Sequence, residues 1–205
     1  MAYVLGFFTA DGNMMENKRG AHFIEFQITD KKLLEKIRNV LESNHKITRR
    51  KRNFNHKTIY RLQIGSKIMF NDLLSLGITP QKSKTVNLPL IPKRYLSDFV
   101  RGYFDGDGNV TVSEYVRKAR KNQKAKVILS GFISGSKVFL ENLHKKLKEL
   151  SGISGGTLYY SSRGYRLYFS KRDSLTLYRF MYGKTSNTLY LHRKKFVFEK
   201  YFKIV

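Results

Sequence analysis

Tyr3-Val4-Leu5-Gly6-Phe7-Phe8-Thr9-Ala10-Asp11-Gly12-Asn13 and Phe99-Val100-Arg101-Gly102-Tyr103-Phe104-Asp105-Gly106-Asp107-Gly108-Asn109 are two versions of one phrase. Each is an apolar run with small residues at i and i+4, Gly6/Ala10 and Gly102/Gly106, and each closes on Asp-Gly-Asn. A repeat of this kind implies two similar half-domains. It also puts one acid, Asp11 or Asp107, at the same point of each half. Small residues at this spacing let two helices pack backbone against backbone. The two segments are therefore expected side by side at the centre of a pseudo-dimer, with Asp11 and Asp107 close together at their C-terminal ends.

The rest of the chain is strongly basic. Forty Lys+Arg against 15 Asp+Glu give the 205 residues a formal net charge of +25 at pH 7, while 41% hydrophobic residues suffice for a core. A disordered basic tail is thereby excluded. A charge excess of this size repels itself unless a polyanion neutralises it, which makes nucleic acid the expected partner. A basic membrane-surface protein is the minor alternative; no apolar run is long enough to span a bilayer, Met1–Ala10 has neither a basic leader nor a small-residue cleavage site, and no membrane partner is expected. The absence of cysteine excludes disulfides, zinc-finger ligation and thiol catalysis, and fits any reducing compartment without choosing among them.

Hydrophobic periodicity extends the repeat outward from the two phrases. A helix is predicted over Ala2–Ala10, stopping at Asp11-Gly12 with Gly12 in a left-handed capping conformation. His22–Thr29 alternates, with Ile24, Phe26 and Ile28 on one face and Phe23, Glu25 and Gln27 on the other. Thr29 or Asp30 caps a helix with the apolar stripe Leu33, Leu34, Ile37, Val40 and Leu41. Strands follow near Lys46–Phe54 and Thr58–Ile64, joined by a turn at Asn53–Lys57, and a helix spans Ser66–Leu76. All three prolines, Pro80, Pro89 and Pro92, fall in Ile78–Lys93, which reads as a connector. The second half then predicts a helix at Ser97–Gly106, strands at Asn109–Tyr115 and Ala125–Ile133 flanking a basic loop Val116–Lys124, a helix at Ser136–Leu150, a hairpin near Ser162–Gly164, and helices to the end. The order αββαββα appears twice, an α+β class with antiparallel strands and helices on one face. The halves are 1–77 and 95–205, with 78–94 between them.

The duplicated acid sets the chemistry. Two carboxylates at the negative ends of helix dipoles repel each other. A hard divalent cation relieves that repulsion, because it accepts carboxylate, backbone carbonyl, water and phosphate oxygens together. Paired cations at a phosphodiester activate water and stabilise the leaving oxygen. One acid per half also suits cutting each strand of a duplex. Asp105-Gly106-Asp107-Gly108-Asn109 begins like a calcium-binding loop, but such a loop needs Gly at its sixth position and Glu at its twelfth, where this chain has Val110 and Val116. A plain helix stop explains either Asp-Gly alone and explains the matched pair poorly.

On these residues the chain resembles the LAGLIDADG homing endonucleases, in the single-chain form with both repeats on one polypeptide. The resemblance spans essentially the whole chain, and Val4–Gly12 and Val100–Gly108 take the motif's places. It implies that Asp11 and Asp107 bind metal, with the carbonyls of Ala10 and Gly106 completing the shell. It implies Mg²⁺ as cofactor, Mn²⁺ as a substitute, and Ca²⁺ as an ion that binds without turnover. Thr9 departs from the motif's earlier acid, whereas Asp105 retains it. The family's basic and polar helpers, which steady water and phosphate, map to Lys82 in Pro80-Gln81-Lys82-Ser83-Lys84 and to Lys194 in His192-Arg193-Lys194-Lys195. Asp30 and Ser136 are the polar partners by position after the second strand of each half.

The same resemblance implies a saddle of two sheets over an imperfectly palindromic double-stranded DNA site of about 20 base pairs, roughly two helical turns. It implies a monomer that cuts both backbones and so spreads the intron or intein that encodes it. Strand alternation nominates the base-reading side chains. With Tyr60, Leu62 and Ile64 inward, Arg61 and Gln63 face out beside Glu25 and Gln27. Lys46–Arg52 contains Arg49, Arg50, Lys51 and Arg52, so either face of that strand is basic, and Arg49 and Lys51 are its candidates. In the second half, Leu167 and Phe169 inward leave Arg166 and Tyr168 outward. Arg favours guanine edges and Gln favours adenine, while loop lysines contact phosphate. The alternatives are an RNA maturase, a regulator that binds DNA without cutting, and a basic scaffold, the last of which gives no reason for twin acids.

Overall fold

A computed structural model describes residues 1–50, 57–117, 122–183 and 189–204. The first phrase forms α1 (Ala2–Asp11), followed by β1 (Gly12–Glu16), β2 (His22–Ile28), α2 (Lys31–Val40), β3 (Ile47–Arg50), β4 (Ile59–Gly65) and α3 (Lys67–Ser75). The second forms α4 (Leu96–Asp107), followed by β5 (Gly108–Arg117), β6 (Gln123–Ser134), α5 (Lys137–Ser151), β7 (Thr157–Ser161), β8 (Gly164–Phe169), α6 (Lys171–Tyr182) and α7 (His192–Phe202). Each half builds a four-stranded antiparallel sheet, in the orders β1-β2-β4-β3 and β5-β6-β8-β7.

Local chemistry explains the helix starts. Asp30 and Ser136 cap α2 and α5 by accepting from the backbone N–H of Leu33 and Phe139, and Ser66 caps α3 by accepting from Met69. Leu33, Leu34 and Ile37 of α2 are buried, whereas Val40, expected on the same stripe, is exposed.

The helix stops differ from expectation. Gly12 and Gly108 are extended, not left-handed, and the chain passes straight from helix to strand. Their glycine is required by space, since a Cβ on Gly12 would overlap the Phe8 ring and one on Gly108 the Phe104 ring. The predicted loop Val116–Lys124 is also shorter than expected. Strand pairing continues out to Arg117 opposite Gln123, and residues 118–121 lie outside the described ones. The predicted turn at Asn53–Lys57 falls largely within 51–56, likewise outside them.

The halves join through α1 and α4. Gly6 meets the Phe99 carbonyl and Gly102 meets the Tyr3 carbonyl, so closely that a Cβ at either glycine would overlap the opposing backbone. Two apolar cores flank this seam, around Phe7, Phe26, Leu34 and Leu62 in the first half and Phe104, Phe132, Leu143 and Leu167 in the second. Connecting segments cross between them. Val86, after the first half, packs in the second core, and Leu189 and Leu191, late in the chain, pack in the first. No helix among the described residues is long and apolar enough to cross a membrane.

Candidate active centre and DNA-facing sheets

Because α1 and α4 lie backbone to backbone, their C-terminal ends deliver Asp11 and Asp107 to one neighbourhood. Asp107 is half-buried, and its carboxyl is pushed up to about 6, first by burial and then by the charge of Asp11, against the opposing pull of Lys194 and Lys82. Asp11, more open to solvent, is raised by loss of hydration among its neighbours, again against Lys194 and Lys82. An open cleft of about 250 Å³ adjoins Asp11, lined also by Gly106, Asp105, Gln27, Thr29 and Arg193 among others.

Lys82 and Lys194 occupy corresponding places. Each is 7% exposed. Lys82 Nζ donates to the Gly12 carbonyl and lies 5.4 Å from the Phe8 ring centre. Lys194 Nζ donates to the Gly108 carbonyl at 2.7 Å and lies 5.5 Å from the Phe104 ring centre. Burial lowers both ammonium pKa values, that of Lys194 to about 8, while the nearby aspartates oppose the fall. The partners then diverge, because Lys194 also reaches the carbonyls of Phe104 at 2.7 Å, Asp105 at 2.8 Å and Gly106 at 3.2 Å.

Asp105 explains part of that difference. Its Oδ2 accepts from Tyr3 Oη at 2.7 Å and from the Leu191 N–H at 2.8 Å, tying α1, α4 and the start of α7 together. Thr9, at the corresponding place, instead returns its hydroxyl to the Leu5 carbonyl within α1. Arg101, 1% exposed, is a second tie that sequence reasoning missed. It donates to the carbonyls of Leu189 and Met181 and to Asp98, holding the chain between α6 and α7. The available signal was its charge inside an apolar run, where the first phrase has Leu5.

The outer sheet faces follow the register. Gln27 pairs with Arg61 and Glu25 with Gln63, all on the face opposite buried Leu62 and Ile64. Arg49 pairs with Tyr60 and so lies on the helix side of the sheet, while Arg50, one residue on, takes the outer face, so both faces of the strand are basic. Lys51 lies outside the described residues. Glu25 is on the expected face but only 2% exposed, because Gln27 and Arg61 fold over its carboxylate. In the second sheet Arg166 and Tyr168 face outward; Tyr168 stacks on Tyr159 with centroids 6.3 Å apart and accepts from Asn109 Nδ2 at 2.9 Å.

Comparison with known proteins fits this geometry. Residues 1–77 match the family of LAGLIDADG-like domains. The whole chain superposes on I-AabMI bound to uncleaved DNA, with a TM-score of 0.67 and 17% identity over 98% of this chain and 88% of that one. The chain has the LAGLIDADG meganuclease fold. It is similar also to I-LtrWI bound to target DNA (TM-score 0.65, 15% identity, 99% and 88% covered) and to I-DmoI in complex with DNA and Mn (0.59, 16%, 90% and 96%). No curated protein sequence matches it.

Within the LAGLIDADG fold the acid pair is a fit for a divalent cation. Burial raises both carboxyls, and the Asp11 charge adds to the rise at Asp107, a repulsion that a cation would relieve beside the two lysines. Among the described residues no three His, Cys, Asp or Glu side chains converge, so carbonyl, water and phosphate oxygens would have to complete a shell. Asp30 and Ser136 each use one side-chain oxygen, Oδ1 and Oγ, as a helix cap, and Ser136 is 5% exposed. The segment after each half crosses to the other: a Cβ on Gly135 would overlap the Ser83 carbonyl, and Arg193, in the first turn of α7, borders the Asp11 cleft beside Thr29.

Proposed function

We propose that this chain is a site-specific DNA endonuclease that hydrolyses both strands of a long pseudo-palindromic duplex site with a divalent metal. The observation carrying this reading is the convergence of Asp11 and Asp107 at the joined ends of α1 and α4, each charge felt by both Lys82 and Lys194. Asp11 and Asp107 would hold the ions, with the Ala10 and Gly106 carbonyls contributing. Bound there, Mg²⁺ or Mn²⁺ would supply an activated water and stabilise the departing oxygen.

The chain's own groups have separable tasks. Lys82 donates to one carbonyl, leaving ammonium protons for a phosphate oxygen or an ordered water. Lys194 distributes its donors over four carbonyls at the end of α4, so its task is to hold that end and offset the carboxylate charge. Outer faces of the two sheets would lie in the major groove on either side of the cut, while the basic surface neutralises phosphates. With both acids on one chain, a monomer suffices, spanning about 20 base pairs. Halves 1–77 and 95–205, joined by 78–94, would each serve one strand. Such an activity would spread the mobile intron or intein that carried it.

The test is a duplex library exposed to the protein in Mg²⁺, Mn²⁺, Ca²⁺ or EDTA, with Asp11→Asn and Asp107→Asn alongside. A discrete double-strand cut in Mg²⁺, lost in EDTA and in either variant while binding persists, is the expected result. Tight, sequence-selective binding with no cut in any metal would overturn the nuclease reading in favour of a non-cleaving regulator. Preference for structured RNA over every duplex would favour a maturase.

A further inference from the structure

The two sheets carry an arginine at corresponding places. Gly12 pairs with Phe26 and Gly108 with Phe132 where each strand leaves its helix, which sets the correspondence of the halves. Arg61, opposite Gln27, then matches Arg166, opposite Ile133. By the same register Glu25 matches Gly131, and Gln63 matches Tyr168.

Their surroundings are unlike. Glu25 is 2% exposed, and its Oε2 is buried with no hydrogen-bond donor. The cation beside that oxygen is Arg61, whose Nη1 stands 3.4 Å away. The other Glu25 oxygen accepts from Gln27 Nε2. Arg61 Nη2 donates to Gln63 Oε1 at 3.3 Å, and Gln63 Nε2 reaches Met15 Sδ at 3.7 Å. The guanidinium is thus held from two sides while the side chain stays 37% exposed on the sheet. In the second half no side chain can stand where Glu25 does, because a Cβ on Gly131 would overlap the Leu167 carbonyl. Ile133 and Tyr168 carry no charge, and Arg166 makes a long bond of 3.4 Å to the Ser161 carbonyl.

A buried carboxylate is costly unless its charge is compensated. Glu25 therefore favours arrangements that keep the Arg61 guanidinium close. An arginine ordered beforehand loses less rotamer freedom on binding, and its fork matches the O6 and N7 acceptors of guanine in the major groove. Resting on the endonuclease reading above, we propose that Glu25 is a positioning residue that sets Arg61 to read a G·C pair, whereas the pair facing Arg166 is read loosely. The two half-sites then differ in stringency at corresponding positions.

The experiment is duplex selection by the full chain in Ca²⁺, repeated with Arg61→Ala, Arg166→Ala, Glu25→Gln and Arg61→Lys. The two alanine variants identify which base pair each arginine faces. Wild type should prefer guanine at the Arg61 position by about tenfold or more, and at the Arg166 position by less than about threefold. Glu25→Gln should lower the first preference about fivefold, measured against the same variant's affinity for non-guanine sequences. Arg61→Lys, which keeps Glu25 and the charge but loses the fork, should lose the preference as well. If the protein selects duplex and guanine preference survives Glu25→Gln, the inference falls and the endonuclease reading stands. Uniform loss of affinity for every sequence, or a fall in unfolding midpoint without altered preference, would make Glu25 merely structural and also overturn it. Failure to select any duplex would remove the nuclease reading and this inference together.

Discussion

Arg101 shows how much one residue can carry in this chain. It is a buried cation with two carbonyl partners and one carboxylate, and its guanidinium lies 5.5 Å from the Tyr3 ring centre. Removing one side of a buried charge pair costs about 3–5 kcal/mol. Arg101→Ala is expected to lose stability of that order in denaturant titration, and a loss below about 1 kcal/mol would contradict the assigned role. Tyr178 offers a pH test away from the acids. Its hydroxyl donates to Glu199 Oε1 at 3.1 Å, and burial followed by the Glu199 charge pushes its pKa up to about 12 from 10.0. The neutral form is the one favoured on folding, so its contribution is present below pH 10 and fades as pH rises from 10 to about 12. Wild type should therefore lose its stability advantage over Tyr178→Phe across that window; an advantage that grew with pH would reverse the sign. Asp11 and Asp107 were legible as residues because the repeat singles them out. Glu25 was legible as to face and illegible as to exposure, since neighbouring side chains cover it and spacing along one strand does not report that.

Among the elements, the pair α1 and α4 decides the architecture. Alanine at Gly6 or Gly102 would gain about 1 kcal/mol of helix propensity. It would also drive a Cβ into the opposing carbonyl of Phe99 or Tyr3, and backbone cannot rotate aside as a side chain can. Overpacking costs of about 1–3 kcal/mol or more should win, so either Gly→Ala variant is expected to unfold at lower temperature and, on the proposed function, to lose cleavage through separated acids. A more stable variant would mean the helices do not pack as described. Periodicity found most helices and the inner strands, because both leave an apolar pattern of the proper period. It leaves the face of Arg49 open, because β3 is a four-residue edge strand whose basic residues offer no alternation from which to read the register. The helix stops were misread for a related reason. Glycine after Asp suggests a left-handed cap, yet here it is demanded by an aromatic ring one turn earlier, a through-space constraint.

At the level of the whole molecule the halves are interlocked rather than merely joined. Leu191 comes just before α7 of the second half and is fully buried in the core of the first. Leu191→Ala should cost about 2–5 kcal/mol and lower a single unfolding transition seen by all probes. Two separated transitions, with only the second half affected, would show the halves to be independent. The duplication, the two acids, the basic character and the α+β order are all legible in the linear chain. Each of these is carried by residue identity or short-range periodicity, which a linear chain displays directly. Tertiary structure alone decided which lysine meets one carbonyl and which meets four, that Asp105 ties three segments together, and that Glu25 lies beneath Arg61 while Gly131 leaves Arg166 without a counterpart. Those outcomes depend on which distant segments come within hydrogen-bonding distance, and that is set by the joint packing of two cores and the seam between them.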